Sequence, residues 1–200
     1  MTRIIGGVAG GRRLSTPTGA ATRPTSDRVR EALFSVLESR LGSLAGLRFL
    51  DLYAGAGGIG LEAVSRGAGV LTAVESDKRT TRLVEGNARA LGLSRVEVLA
   101  APVERVLAHP PRAPYDVVYL DPPYSLAQAA LEEVLALLVA NGWAAVGTVV
   151  VLERSTRSVE PAWPTGLVRE RAKKYGETVL WFVRVDAVKD QPEHQPVRDR

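Results

Sequence analysis

Short apolar runs alternate with stretches of helical period along most of this chain. Leu47-Arg48-Phe49-Leu50, Val70 to Val74, Val96 to Leu99, Tyr115 to Leu120 and Val146 to Leu152 have the length and composition of buried strands. Before the first run, Val29, Leu33, Val36 and Leu37 recur at helical spacing behind Thr25, Ser26 or Asp27 as N-cap, which leaves Arg28 and Arg30 off the buried stripe. A second helix follows the first strand, with Leu61, Ala63 and Val64 on its period. Ser76 or Asp77 caps a third, which runs to Leu91 and stops at Gly92. Ser125 caps another through Val139, closed by Asn141-Gly142. Strands and helices alternating at this spacing predict an α/β, doubly wound, mostly parallel sheet.

Both ends depart from that alternation. Leu167 to Lys174 and Thr178 to Val185, joined through Tyr175-Gly176-Glu177, read as an antiparallel hairpin that brings the sheet to seven strands. At the start, Arg3 to Ala9, a Gly10-Gly11 turn and Arg12 to Ser15 read as a small β-hairpin with its arginines outward. Residues 1–24 therefore form a basic arm, residues 25–185 the main domain, and residues 186–200, polar and without periodicity, a disordered tail.

The stretch from Asp51 to Gly60 is the first candidate site. Small residues from Ala54 to Gly58 allow a tight turn and a close approach of backbone to a ligand. Gly55, Gly57 and Gly60 also fit the dinucleotide pattern G-x-G-x-x-G. Asp51 argues against a pyrophosphate, because a carboxylate at that strand end repels phosphate and suits a cation such as the amino group of a methionine moiety. Glu75 ends the next strand and is placed to accept hydrogen bonds from both ribose hydroxyls of an adenosine. Asp51, Tyr53, Ala54, Gly55, Gly57, Glu75 and Ser76 are the cofactor-binding candidates.

Asp121-Pro122-Pro123-Tyr124 ends the fourth strand, on the same sheet edge. Two prolines fix their own dihedrals and present carbonyls with no competing N–H, a rigid acceptor wall. An exocyclic amine on a base is a poor nucleophile because its lone pair is delocalised into the ring. Hydrogen bonds from its two N–H groups to the Asp121 carboxylate and the Pro122 carbonyl would localise that pair, and Tyr124 could stack on the ring. A methyl sulfonium over Gly55 to Gly57 would then lie in line for direct transfer.

Composition narrows the chemistry further. The chain has no cysteine, which removes disulfides, thiolate metal sites and a covalent thiolate mechanism. With only two histidines, His109 and His194, no metal site is expected. The Trp143 to Leu152 run is half the length of a membrane span, and with no leader pattern a cytoplasmic protein with no membrane partner is expected. Of the 26 basic residues the first 30 positions hold six, Arg3, Arg12, Arg13, Arg23, Arg28 and Arg30, against the single acid Asp27. An arginine-rich arm beside a small-molecule fold suits a nucleic-acid partner. The preference for arginine over lysine is compatible with codon bias, but the clustering is not explained by it.

Arg3-Ile4-Ile5-Gly6-Gly7 with Gly11-Arg12-Arg13-Leu14, the segment Arg23 to Phe34, Asp51 to Gly57 and Asp121 to Tyr124 together resemble the RsmD family of bacterial small-subunit rRNA guanine-N2 methyltransferases. The two core motifs mark class I S-adenosylmethionine-dependent amino methyltransferases, Rossmann-like in fold; the N-terminal pair narrows the match. The resemblance implies S-adenosyl-L-methionine on Asp51, Gly55, Gly57 and Glu75, a catalytic loop of Asp121, Pro122, Pro123 and Tyr124, and 16S rRNA, at guanine 966, on the arginine arm, in an assembling small-subunit particle and by a monomer. Tyr53 stands where Phe is more usual, and Ala100-Ala101-Pro102 lacks the acidic residue that many class I enzymes use on the adenine amine. Three other readings stay open at this point: a DNA adenine-N6 methyltransferase, a nicotinamide-dependent oxidoreductase and a non-catalytic RNA-binding factor.

Overall fold

The computed structural model describes residues 2–17 and 26–187. Arg23 and all but the first two residues of the expected tail lie outside them. Ser26 is the N-cap of α1 (Asp27–Leu41), its hydroxyl accepting from the Val29 amide, and Gly42 at φ 74° closes the helix. Then follow β1 (Arg48–Leu52), α2 (Gly58–Ser65), β2 (Val70–Glu75), α3 (Lys78–Leu91), β3 (Val96–Ala100), α4 (Val103–Leu107), β4 (Tyr115–Leu120), α5 (Gln128–Ala140), β5 (Ala144–Ser155), β6 (Leu167–Tyr175) and β7 (Thr178–Val185). The seven strands form one sheet in the order β3-β2-β1-β4-β5-β7-β6. The first five are parallel, β7 runs antiparallel to β5, and β6 antiparallel to β7.

Two apolar layers sandwich the sheet. Leu33, Phe34 and Leu37 of α1, with residues of α2 and α3, fill one; Val103 and Leu107 of α4, with Leu131 and Leu135 of α5, fill the other. Asp77 caps α3 through the Thr80 amide at 2.9 Å. The short helix α4 carries no periodic signal long enough to read from sequence. Helix α5 starts at Gln128 behind Ala127, not behind Ser125, because the Leu126 amide bonds to the Pro123 carbonyl at 2.9 Å and spends those residues on a turn.

The N-terminal segment pairs as expected but turns elsewhere. Arg3 and Arg13 form an antiparallel bridge, and Ile4 N and Leu14 N donate to the carbonyls of Arg12 and Thr2, both at 2.9 Å. Gly11 N bonds to Ile4 O at 2.8 Å, so residues 5–11 make one wide loop in place of a Gly10-Gly11 turn. The loop is wide because it seats on α2. Ile5 N and Gly6 N donate to the fully buried Glu62 carboxylate at 2.6 and 2.8 Å, and Val8 N and Ala9 N bond to Ser65. Ile4, Ala9 and Leu14 join the apolar layer beneath.

Candidate active site

Parallel pairing fixes where the acidic side chains emerge. Asp51 is paired with Ala73 of β2 on one side and Tyr119 of β4 on the other, so Glu75 and Asp121, each two residues further along, leave the sheet on the same carboxyl rim. All three line a single cleft of about 1170 Å³.

The loop between β1 and α2 shapes the cleft floor. Gly55 has φ 54° and Gly57, the N-cap of α2, φ 81°; Tyr53, at φ 62°, takes the same left-handed region without glycine's freedom. A Cβ on Gly60 would come within 2.9 Å of Asp51 Oδ2 and 2.6 Å of Leu71, so only glycine fits where α2 crosses β1. The Gly60 amide instead donates to that oxygen at 2.8 Å. Glu75 organises the same loop, accepting from Gly55 N at 3.0 Å, Asp77 N at 2.9 Å and the Ser76 hydroxyl at 3.3 Å.

Burial, reinforced by the charge of Glu75 and opposed by the Gly60 hydrogen bond, pushes the Asp51 carboxyl up to about 7. Asp121 is also raised well above the usual carboxylate range, by burial first and then by the charges of Glu153 and Asp51, against the pull of Arg154. Burial pushes the Tyr53 hydroxyl up to about 12. A cleft that holds closely spaced carboxylates in low dielectric favours a cation strongly.

Two residues beside Asp121 were missed from sequence. Glu153 and Arg154, near the end of β5, are 7% and 8% exposed, and the Tyr119 hydroxyl donates to Glu153. Arg154 Nη1 donates to the carbonyls of Pro122 at 3.3 Å and Pro123 at 3.0 Å. The prolines bring no N–H of their own, and the donor that meets their carbonyls comes from β5. The longer contact leaves Pro122 a lone pair for a further donor. Tyr124, 72% exposed, stands at the mouth, and Lys174 with the β6–β7 turn closes the far wall.

The arginines divide. Arg3 and Arg13 are exposed on the bridge, and Arg28 is exposed at the cleft mouth. Arg12 is turned back onto α3, donating to the carbonyls of Leu91, at 3.0 Å, and Ala90. Arg30 is 1% exposed, inside the stripe it was expected to avoid, because it stands at i, i+3, i+4, i+7 with Leu33, Phe34 and Leu37.

This strand order, with a glycine loop after the first strand and acidic groups at the ends of the first, second and fourth, is the class I methyltransferase fold. Residues 2–184 match the family described as Conserved hypothetical protein 95. The chain is 34% identical over 185 residues to ribosomal RNA small subunit methyltransferase D of Escherichia coli, covering 92% of this chain and 90% of that one. The solved structure of yhhF from Escherichia coli superposes with a TM-score of 0.82 at 31% identity, over 93% of this chain and 98% of that one. A hypothetical protein of Thermus thermophilus does so at 0.76 and 36% identity, over 92% and 100%. The chain belongs to this family, the RsmD family that its motifs resemble.

Proposed function

We propose that the protein transfers a methyl group from S-adenosyl-L-methionine to the exocyclic N2 of a guanine in 16S rRNA, guanine 966 by family resemblance, in an assembling small-subunit particle. The observation that carries this reading is the convergence of Asp51, Glu75 and Asp121 on one cleft, with Asp51 close enough to raise the Asp121 pKa. That convergence supports a donor site and an acceptor site side by side in one cleft. Family membership alongside an rRNA methyltransferase supports the substrate class.

When bound, S-adenosylmethionine supplies an electrophilic methyl carbon on a positively charged sulfur. This chain's residues do the rest. Glu75 receives the ribose hydroxyls, and the Asp51–Asp121 pair offsets positive charge. Asp121 in its ionised form accepts one N–H of the base amine while the Pro122 carbonyl accepts the other, returning the lone pair to nitrogen. A carboxylate with a raised pKa is also a competent acceptor for the proton that the nitrogen sheds. Tyr124 stacks on the ring, worth about 1–3 kcal/mol, and Arg154 holds the proline carbonyls in place. Arg3, Arg13 and Arg28 meet phosphates.

The test is methyl transfer from labelled donor to small-subunit particles lacking the modification, to naked 16S rRNA and to duplex DNA, followed by mass spectrometry of the nucleosides. N2-methylguanosine at one mapped site is expected; N6-methyladenine in DNA would replace the reading. Asp121→Ala should abolish transfer while S-adenosylhomocysteine affinity stays within about threefold, since Asp121 acts on the acceptor. A thermal shift with NAD and none with S-adenosylhomocysteine would favour an oxidoreductase.

A further inference from the structure

Glu153 stands next to Asp121 on the side away from Asp51. β4 and β5 are paired Leu120 to Leu152, so Asp121 and Glu153 continue the same register one residue further, on strands about 4.8 Å apart. Paired residues of parallel strands project to one face, and both carboxylates line the cleft. The sheet order β2-β1-β4-β5 sorts the acids of this rim: Glu75 and Asp51 lie to one side of Asp121, and Glu153 to the other.

The Glu153 side chain is aimed from within the fold. The hydroxyl of Tyr119, itself 1% exposed, donates to Glu153 Oε2. A carboxylate offers about four lone-pair sites, so one phenol does not exhaust it. Anchoring a tyrosine needs no charge, because a neutral amide or a carbonyl would accept the same bond. A second buried carboxylate beside Asp121 is costly, since the charge of Glu153 makes Asp121 harder to ionise. That cost is offset where a ligand brings an N–H to Glu153.

We infer that Glu153 selects the base: its carboxylate, aimed by Tyr119, accepts the ring N1–H of guanine while Asp121 and the Pro122 carbonyl hold the neighbouring N2 amine. This rests on the guanine-N2 reading proposed above. N1 and the exocyclic nitrogen are adjacent on one edge of the ring. With the methyl donor on the Asp51 side, a base whose amine sits on Asp121 turns N1 towards β5. In guanine N1 carries a proton. In adenine and cytosine the ring nitrogen beside the amine carries a lone pair, which a carboxylate repels. One acceptor at this point therefore separates guanine from the other two bases with an exocyclic amine, by repulsion as well as attraction. The base must leave its stack to reach so buried a group, and Tyr124 at the mouth offers it a ring to rest on.

The decisive experiment compares methyl transfer by the full chain to small-subunit rRNA substrates carrying guanosine or 2-aminopurine riboside at the target position. 2-Aminopurine keeps the N2 amine but has a lone pair at N1. In the wild type kcat/KM should favour guanosine by about tenfold to a hundredfold, the size of one hydrogen bond to a charged acceptor. In Glu153→Gln, with the amide carbonyl held by Tyr119 and its NH2 facing the base, the preference should fall below about threefold or reverse. A preference that survives in Glu153→Gln would belong to O6, which 2-aminopurine also lacks, and would overturn the inference; so would equal turnover of both substrates by the wild type. If Glu153→Gln does not fold, Tyr119→Phe decides, since it keeps the carboxylate and removes the group that aims it: a preference equal to that of the wild type overturns the inference and a smaller one supports it. A wild-type enzyme that methylates adenine and no guanosine would instead sink the guanine-N2 reading itself.

Discussion

Arg154 donates to the carbonyl of Pro123 at 3.0 Å, tying the end of β5 to the loop that leaves β4. The two prolines fix their own dihedrals, but nothing in a proline fixes the loop relative to the sheet. Arg154→Met should therefore cost about 1.5–3 kcal/mol of stability for a lost charged hydrogen bond. It should also lower kcat for methyl transfer about tenfold with little change in donor affinity, since misplacing a catalytic loop damages attack geometry more than binding. Single-turnover kinetics beside calorimetry separates the two effects.

Under the proposed function, Asp51 makes donor binding depend on pH. In the unfolded chain its carboxyl titrates near 3.8, whereas burial beside Glu75 pushes it up to about 7 in the fold. Between those values the folded state holds a proton that the unfolded state has lost, so this group's stabilising contribution is full below about pH 4 and is lost as pH rises through about 7. A positively charged ligand has the opposite preference and needs the carboxylate ionised. Affinity for S-adenosylhomocysteine should rise from about pH 6 to about pH 8, with protons released at the lower end and none at the upper. Titrations in buffers of different ionisation enthalpy count those protons, and Asp51→Asn should flatten the profile.

Among the described glycines, Gly7 is the one where an added Cβ would crowd its neighbours most. Its φ is 77°, and an added Cβ would stand 1.9 Å from the Ser65 carbonyl oxygen, a clash of backbone against backbone. Gly7→Ala should destabilise the protein by about 1–3 kcal/mol through strain alone, and should reduce rRNA affinity while S-adenosylhomocysteine affinity holds. Equilibrium unfolding and filter binding report the two separately.

Arg13 and Arg28 are exposed, and each is expected to contact one phosphate. Replacing either by Ala should make the slope of log affinity against log salt shallower by about 0.7 on single-stranded rRNA. Arg12→Ala should change that slope less, because its guanidinium is already held by the end of α3. Binding measured over a salt series discriminates the three.

Much of the architecture was legible because the relevant signals are local. Apolar runs of strand length and the glycine loop each announced an element, and Asp51, Glu75 and Asp121 could be placed on one rim once the strands were taken as parallel. What escaped depends on tertiary closure. Glu153 and Arg154 look like the polar end of a surface strand, and are buried where β5 lies between β4 and β7. Arg30 was misplaced for a different reason: the stripe was read from the apolar positions Val29, Leu33, Val36 and Leu37 alone, although Arg30 stands three and four residues before Leu33 and Phe34 on the same face. A charge can be buried on such a face where a partner meets it, as Asp27 does here.

The eight residues of α2 have a consequence for how catalysis is kept in register. One end of this helix begins at the glycine loop of the cleft, while Glu62 and Ser65 towards the other end clasp the N-terminal segment. Under the proposed function, the span from the arginine arm to the transferable carbon is then set by about 12 Å of rigid peptide. On that reading substrate and donor are measured off the same ruler, since a shift of the arm pulls on the hydrogen bonds it makes to this helix.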